Sequence, residues 1–298
     1  MSFLRKTRTV LEMIKFEHSI FALPFALTGA LLAVRGSGLS QSMLAIKFVW
    51  IVVAMIAARS AAMAFNRLVD AEIDARNPRT TTRAIPAGLV SKPFTVGFIA
   101  FWSLVLFLAA FRLNPLCLKL APLALIVLFG YSYTKRFTVF SHFVLGLTLG
   151  IAPAAAWIAI RGSLDPVILL LTAAVICWTA GFDIIYSCQD FHFDSDEGLF
   201  SIPRVLGIRK ALLIARLLHA VMVLALLWLV QLSGLGVLSV AGIAVVAGLL
   251  IYEHSIVKPY DLSRVNAAFF TVNGIVSVLF FLFWAADIFW QGGGGLRG

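Results

Sequence analysis

Two polar runs interrupt a chain that is otherwise strongly apolar. Asn66-Arg-Leu-Val-Asp70-Ala-Glu-Ile-Asp74 sets Asn66, Asp70 and Asp74 four residues apart, and Asp183-Ile-Ile-Tyr186-Ser-Cys-Gln-Asp190-Phe-His-Phe-Asp194 sets Asp183, Tyr186, Asp190 and Asp194 at three- and four-residue steps. Residues at these steps share one face of a helix, so each run predicts a polar stripe. Like charges stacked this way repel by about 0.3 kcal/mol per pair in water, and a carboxylate in the apolar region costs on the order of 3 kcal/mol. A cation must offset that. Four aspartates and an asparagine are hard oxygen donors of the kind magnesium takes, and magnesium completes its shell with water and substrate phosphates. The chemistry that suits such a set is the binding of a diphosphate and its stabilisation as a leaving group. Aspartates that only cap helices and pair with loop arginines would explain one stripe equally well. Two stripes at matching places, each followed by Ile-Pro (Ile85-Pro86 and Ile202-Pro203) and basic residues, favour the metal and diphosphate.

The elements that must position these stripes are membrane helices. Apolar residues make up 61% of the 298 positions and charged residues 13%, and the mean hydropathy is +0.99. So few charges cannot cover a water-soluble surface. Apolar runs bounded by polar, Gly or Pro breaks predict nine spans, at 18–34, 43–65, 96–112, 115–133, 140–160, 166–187, 209–231, 234–252 and 266–290. The division at Leu113, Asn114 and Pro115 is the weakest. Residues 1–290 read as one transmembrane domain, and 291–298, with four consecutive glycines, as a disordered tail. The chain is expected to be an all-α integral membrane protein whose two related halves each bring a polar helix end to one face.

The net charge of +10 lies in short loops between apolar runs, which argues against nucleic-acid binding and for a topology signal. Basic residues concentrate at the N-terminus and after the second, fourth, sixth and eighth spans, which places those segments and the aspartate runs in the cytoplasm. Arg5, Lys6 and Arg8 precede an apolar stretch too long for a signal peptide, so a retained first helix is expected. Cys117, Cys177 and Cys188 have no CxxC spacing and read as small core residues.

The pair NxxxDxxxD after the second span and YxxxDxxxD after the sixth resembles the signature of the UbiA-type intramembrane prenyltransferases. The similarity covers nearly the whole chain and includes Arg83-Ala-Ile-Pro86-Ala-Gly88 and Tyr131-Ser-Tyr-Thr-Lys135-Arg136. Met13-Ile-Lys15-Phe-Glu-His18-Ser-Ile-Phe-Ala-Leu-Pro24 and the form Asn66-Arg-Leu-Val-Asp70 are most similar to the 4-hydroxybenzoate polyprenyltransferase branch. Arg67 departs from members that have Asp directly after the Asn, which opens the question of the acceptor.

The resemblance implies helices around a central cavity open to lipid, and transfer of a polyprenyl group from its diphosphate to an aromatic carboxylic acid. Asp70, Asp74, Asp190 and Asp194, with Asn66, would hold Mg2+. Asn66, Arg83, Lys135, Arg136 and Tyr186 would contact the diphosphate. Arg59, Arg67, Asp183 and Lys15 are candidates for the acceptor. The first-choice acceptor is 4-hydroxybenzoate, on a ubiquinone route in a bacterial inner membrane; a dihydroxynaphthoate on a menaquinone route is the alternative. No obligate protein partner is implied. A transporter is the rival of another class, but it should carry its ionisable residues near the bilayer midplane on broken helices, not at one end of two helices.

Overall fold

The computed structural model describes residues 9–10, 12–14 and 21–294. Among them there is no strand, and the helices run in the order α1 (Leu23–Val34), α2 (Gln41–Val69), α3 (Ala71–Arg76), α4 (Lys92–Leu113), α5 (Pro115–Thr134), α6 (Ser141–Arg161), α7 (Ile168–Ser187), α8 (Phe191–Asp196), α9 (Ile202–Leu206), α10 (Ile208–Ser233), α11 (Val237–Ile256) and α12 (Asn273–Gly294). A π-helical stretch, Ala267–Val272, leads into α12. Eight helices among the described residues are long and apolar enough to cross a membrane, and α1 is a further, shorter apolar helix. The first expected span, 18–34, corresponds to α1, and its residues 18–20 lie outside the described residues. Helix α12 continues through Gly294, beyond the boundary expected at 290, and residues 295–298 lie outside the described residues.

Local chemistry sets the helix ends. The Ser40, Ser91 and Ser201 hydroxyls accept from the backbone N–H of Met43, Phe94 and Arg204, capping α2, α4 and α9 as N-cap serines do. The weakest expected boundary is a one-residue break. Asn114 is extended (φ −174°, ψ 168°), because Pro115 disfavours the helical conformation before it. Its side chain accepts from Cys117 N–H at 2.9 Å and donates to the Ile158 carbonyl at 2.8 Å, which fixes the turn against α6.

Helix α6 lies against α7 and α1, and glycines permit the approach. A Cβ on Gly146 would stand 2.6 Å from the Ile176 carbonyl oxygen, and one on Gly29 would collide with that of Pro153. Gly146 and Gly150 are four apart, the small-residue spacing that lets membrane helices meet closely. Phe25, Trp178, Phe182, Phe280 and Trp284 fill the core among α1, α7 and α12. Outward, Leu104 and Phe111 of α4 leave 69% and 65% of their surface exposed, a face that suits lipid and not water.

The two ends of the bundle differ. At one, Lys47 donates to the Leu113 and Ala159 carbonyls near the C-termini of α4 and α6, where the helix dipole favours a cation. Arg35 and Arg161 likewise donate to the carbonyls of Ser233 and Gly36. Both aspartate runs lie at the other end.

Candidate active site

Both stripes are built by the same backbone device. Helix α2 ends at Asp70 (φ −90°, ψ 4°), which starts the six-residue α3, and α7 passes through a 3-10 turn to Asp190 (φ −93°, ψ 8°), which starts the six-residue α8. Both aspartates sit in the sparsely populated bridge region common among active-site residues. The repeat seen in the sequence is therefore a repeat in backbone geometry. Asp74 N–H donates to the Asp70 carbonyl at 2.7 Å, so the four-residue spacing survives the bend.

The two bends face one cavity of about 290 Å³. Asn66, Asp70, Asp74, Asp183, Tyr186, Asp190 and Asp194 line it, as do Arg59, Arg67, Arg83, Lys135 and Arg136. Lys15 lies outside the described residues, as does His18. Every other expected site residue reaches this cavity.

Asp70, Asp74, Asp190 and Asp194 each meet a cation, and most of these pairs cross between elements far apart in sequence. Arg136 donates to Asp70 at 3.2 Å, Arg83 to Asp74 at 2.6 Å, Arg79 to Asp190 at 2.8 Å and Lys135 to Asp194 at 2.9 Å. Asn66 Nδ2 donates to Asp70 Oδ2 at 2.8 Å. Burial pushes the Asp70 carboxyl above its ordinary value, against the hydrogen bond from Arg136. For Arg79, burial lowers the guanidinium, but the charge and hydrogen bonds of Asp190 outweigh it and hold it above the usual arginine range. The pairing of aspartates with loop cations is thus real, and it coexists with a shared cavity. Glu197, in the acidic loop after the second run, is taken by Arg76 at 2.7 Å.

Arg67 is buried, and its Nε donates to the Met13 carbonyl at 3.3 Å. Its neighbour-in-space Arg83 belongs to the loop closed by Gly88, whose φ of +69° only glycine adopts readily.

The structure adds residues that spacing did not disclose. Arg79 grips both oxygens of Asp190, donates to the Tyr186 hydroxyl at 3.0 Å, and lies over the Tyr186 ring at 5.3 Å. Its place between the first stripe and Arg83 was its one sequence signal. His142, on α6, meets Asp183 at 2.7 Å; a histidine inside an apolar span was its one sequence signal, and nothing in the spacing named its partner. Phe269 and Phe270 reach the cavity from the π-helical stretch and pack against Tyr186, tilted at 4.2 Å and edge-on at 5.8 Å between ring centroids. With Phe21 and Phe182 they make an aromatic wall.

Among the described residues no three His, Cys, Asp or Glu side chains stand together closely enough to hold an ion alone. Magnesium does not need three, since it takes one or two carboxylates and fills its shell with phosphate oxygens and water. The residues fit such an ion. Asp74 Oδ2 is buried without a hydrogen-bond partner, the state a hard cation would relieve.

The model of the UbiA prenyltransferase family matches residues 22–284. The chain is 29% identical over 241 residues to the 4-hydroxybenzoate octaprenyltransferase of Serratia proteamaculans, covering 81% of this chain and 82% of that protein. It is 34% identical over 144 residues to the mitochondrial 4-hydroxybenzoate polyprenyltransferase of Arabidopsis thaliana, covering 48% of this chain but only 35% of that protein. Among solved structures, a UbiA homolog from Aeropyrum pernix K1 superposes with a TM-score of 0.81 at 32% identity, over 91% of this chain and 98% of that one. A UbiA homolog from Archaeoglobus fulgidus bound to DMAPP and Mg2+ shares the fold at a TM-score of 0.71 and 20% identity, over 94% of this chain and 99% of that one.

Proposed function

The chain belongs to the UbiA prenyltransferase family, and from that premise we propose that it transfers a polyprenyl group from a polyprenyl diphosphate to 4-hydroxybenzoate, as a step in ubiquinone formation. The observation that carries this reading is the convergence of Asp70, Asp74, Asp190 and Asp194 on one cavity with four cations between them. The relatives' names supply the acceptor.

In this reading Asp70, Asp74, Asp190 and Asp194, with Asn66 assisting, would hold one or more Mg2+ ions, each ion taking one or two carboxylates. When bound, the metal supplies charge to the diphosphate oxygens and makes the diphosphate a better leaving group. The chain's own residues do the rest. Arg79, Arg83, Lys135 and Arg136 exchange part of their aspartate contacts for phosphate oxygens, which are bound by the same charge-assisted hydrogen bonds. Tyr186, oriented by Arg79, donates its hydroxyl to the same group. The wall of Phe21, Phe182, Phe269 and Phe270 accommodates the allylic chain and favours positive charge on it. Arg59 and Arg67, deeper along α2, are the candidates to hold the acceptor carboxylate. Burial excludes water, which would otherwise capture the allylic cation. The aspartate end and the N-terminus face the cytoplasm of a bacterial inner membrane in this reading, with the isoprenoid tail in lipid.

The test supplies the full chain in detergent with a polyprenyl diphosphate, Mg2+ and, in parallel, 4-hydroxybenzoate or a dihydroxynaphthoate, with products read by mass spectrometry. A prenylated 4-hydroxybenzoate that disappears with EDTA supports the reading. A prenylated naphthoate alone moves the reaction to a menaquinone route. Folded protein that neither binds nor consumes the diphosphate in a metal-dependent way sinks it.

A further inference from the structure

We propose that Asp183 is the carboxylate that takes the proton from the acceptor ring, and that His142 is the positioning residue that holds it there. The inference rests on the prenyltransferase reading above and assigns a step that reading leaves without a residue.

Placement comes first. Asp183 is seven residues before Asp190 on the same helical path, and both line the cavity. Two helical turns put it about 10 Å deeper than Asp190 on nearly the same face. A diphosphate held at the Asp190 end points its first prenyl carbon into the cavity, and the ring that attacks this carbon must lie beyond it. Asp183 lies on that side.

Availability comes second. Asp70, Asp74, Asp190 and Asp194 are each bound by an arginine or lysine. The hydrogen-bond partner of Asp183 among the described residues is instead an imidazole, His142 Nδ1 at 2.7 Å. The Ile202 backbone N–H donates to His142 Nε2 at 3.3 Å, so Nε2 is an acceptor and the ring proton sits on Nδ1. His142 therefore donates to Asp183 Oδ2 as a neutral group. It steadies one oxygen without cancelling the charge, and the other oxygen keeps its lone pairs for the cavity. His142 is 1% exposed and has both nitrogens engaged, so it is not itself the acceptor of the proton. The Asp183 side chain is 23% exposed.

The bonds balance as follows. The C–O bond of the prenyl diphosphate breaks, with the electron pair leaving on diphosphate. A ring carbon ortho to the hydroxyl forms the new C–C bond and leaves a cationic ring. The ring C–H bond then breaks, its electrons restore aromaticity, and the proton goes to the free oxygen of Asp183.

The test uses the full chain in detergent with Mg2+, polyprenyl diphosphate and 4-hydroxybenzoate deuterated ortho to its hydroxyl. Asp183→Asn keeps an acceptor for His142 and should keep the fold. It is expected to lower kcat by about 100-fold or more, the usual size of a lost general base, with KM for the diphosphate within threefold. It should also show a primary deuterium effect that wild type lacks, because proton removal becomes limiting. His142→Leu should lower kcat by about tenfold with the same isotope effect, and His142→Asn, whose amide can stand in for Nδ1–H, should restore it. An Asp183→Asn kcat within threefold of wild type, or a rise in acceptor KM without an isotope effect, overturns the inference. If Asp183→Asn does not fold, His142→Leu decides alone: an unchanged kcat, or a fall without an isotope effect, overturns it. Wild type that prenylates no aromatic acceptor overturns the underlying reading, and the inference falls with it.

Discussion

Arg79 clasps Asp190 across 111 residues of sequence, Nε to Oδ1 at 3.0 Å and Nη2 to Oδ2 at 2.8 Å. A loop that follows the first aspartate run thus closes on the second, and the two halves share one site. The contact is bidentate, a geometry the planar guanidinium provides and a lysine ammonium does not.

Arg79→Lys and Arg79→Ala should both impair the enzyme. Removing a charge-assisted hydrogen bond costs about 1.5–3 kcal/mol, so kcat/KM for the prenyl diphosphate should fall by roughly 10- to 100-fold. Steady-state kinetics with saturating acceptor measure this. Arg79→Lys at wild-type kcat/KM would remove Arg79 from the site.

Asp70→Asn and Asp190→Asn should each cut turnover by two orders of magnitude or more, since the metal's share of transition-state stabilisation is several kcal/mol. The two lesions belong to one site, so the double variant should fall little below the worse single one. EDTA should bring wild type to the same floor, and added Mg2+ should restore wild type alone. Losses that multiply in the double variant would place the two aspartates in separate sites.

Lys135 and Asp194 separate stability from chemistry. Asp194 is fully buried and Lys135 is 35% exposed. Lys135→Met strands a buried carboxylate, which costs about 1–3 kcal/mol once the exposure of the lysine is discounted from the fully buried case. Adding Asp194→Asn should recover most of the melting temperature, since the stranded charge is gone, while activity stays absent. A double variant that melts as low as Lys135→Met would show that the pair is not what holds this corner.

Gly146→Leu should lower the melting temperature, because even a Cβ there meets the Ile176 carbonyl oxygen at 2.6 Å and a backbone atom cannot step aside. Overpacking of this kind costs about 1–3 kcal/mol. Because α6 carries His142 and α7 carries Asp183, activity should fall as well. Gly97→Ala, with nothing within 4 Å of the new Cβ, is the matched control and should be neutral or slightly stabilising. Equal melting of wild type and Gly146→Leu would contradict the close approach of α6 and α7.

What the sequence determined follows from rules that act locally. Too few charges for a water-soluble surface dictated a membrane protein, and apolar runs marked the helices that cross it. The break at Asn114-Pro115 was legible in the sequence, and four-residue spacing put Asn66, Asp70 and Asp74 on one face. The repetition of the aspartate run predicted two related polar helix ends; the structure adds that each bends, with nearly equal backbone angles at Asp70 and Asp190.

Tertiary structure alone decided which helix faces meet. In a soluble protein the apolar face of a helix identifies its core side, but lipid is as apolar as a packed interior, so a membrane helix carries no such mark. Phe269 before α12 is therefore indistinguishable in sequence from lipid-facing neighbours, yet it reaches the cavity wall, and the polarity of His142 marks it as inward-facing without naming Asp183 as its partner. The same holds for the cations. Composition required partners for the aspartates, but only the folded loops assign Arg79 to Asp190, Arg83 to Asp74 and Lys135 to Asp194, because charge attraction is set by distance in space and not by order along the chain.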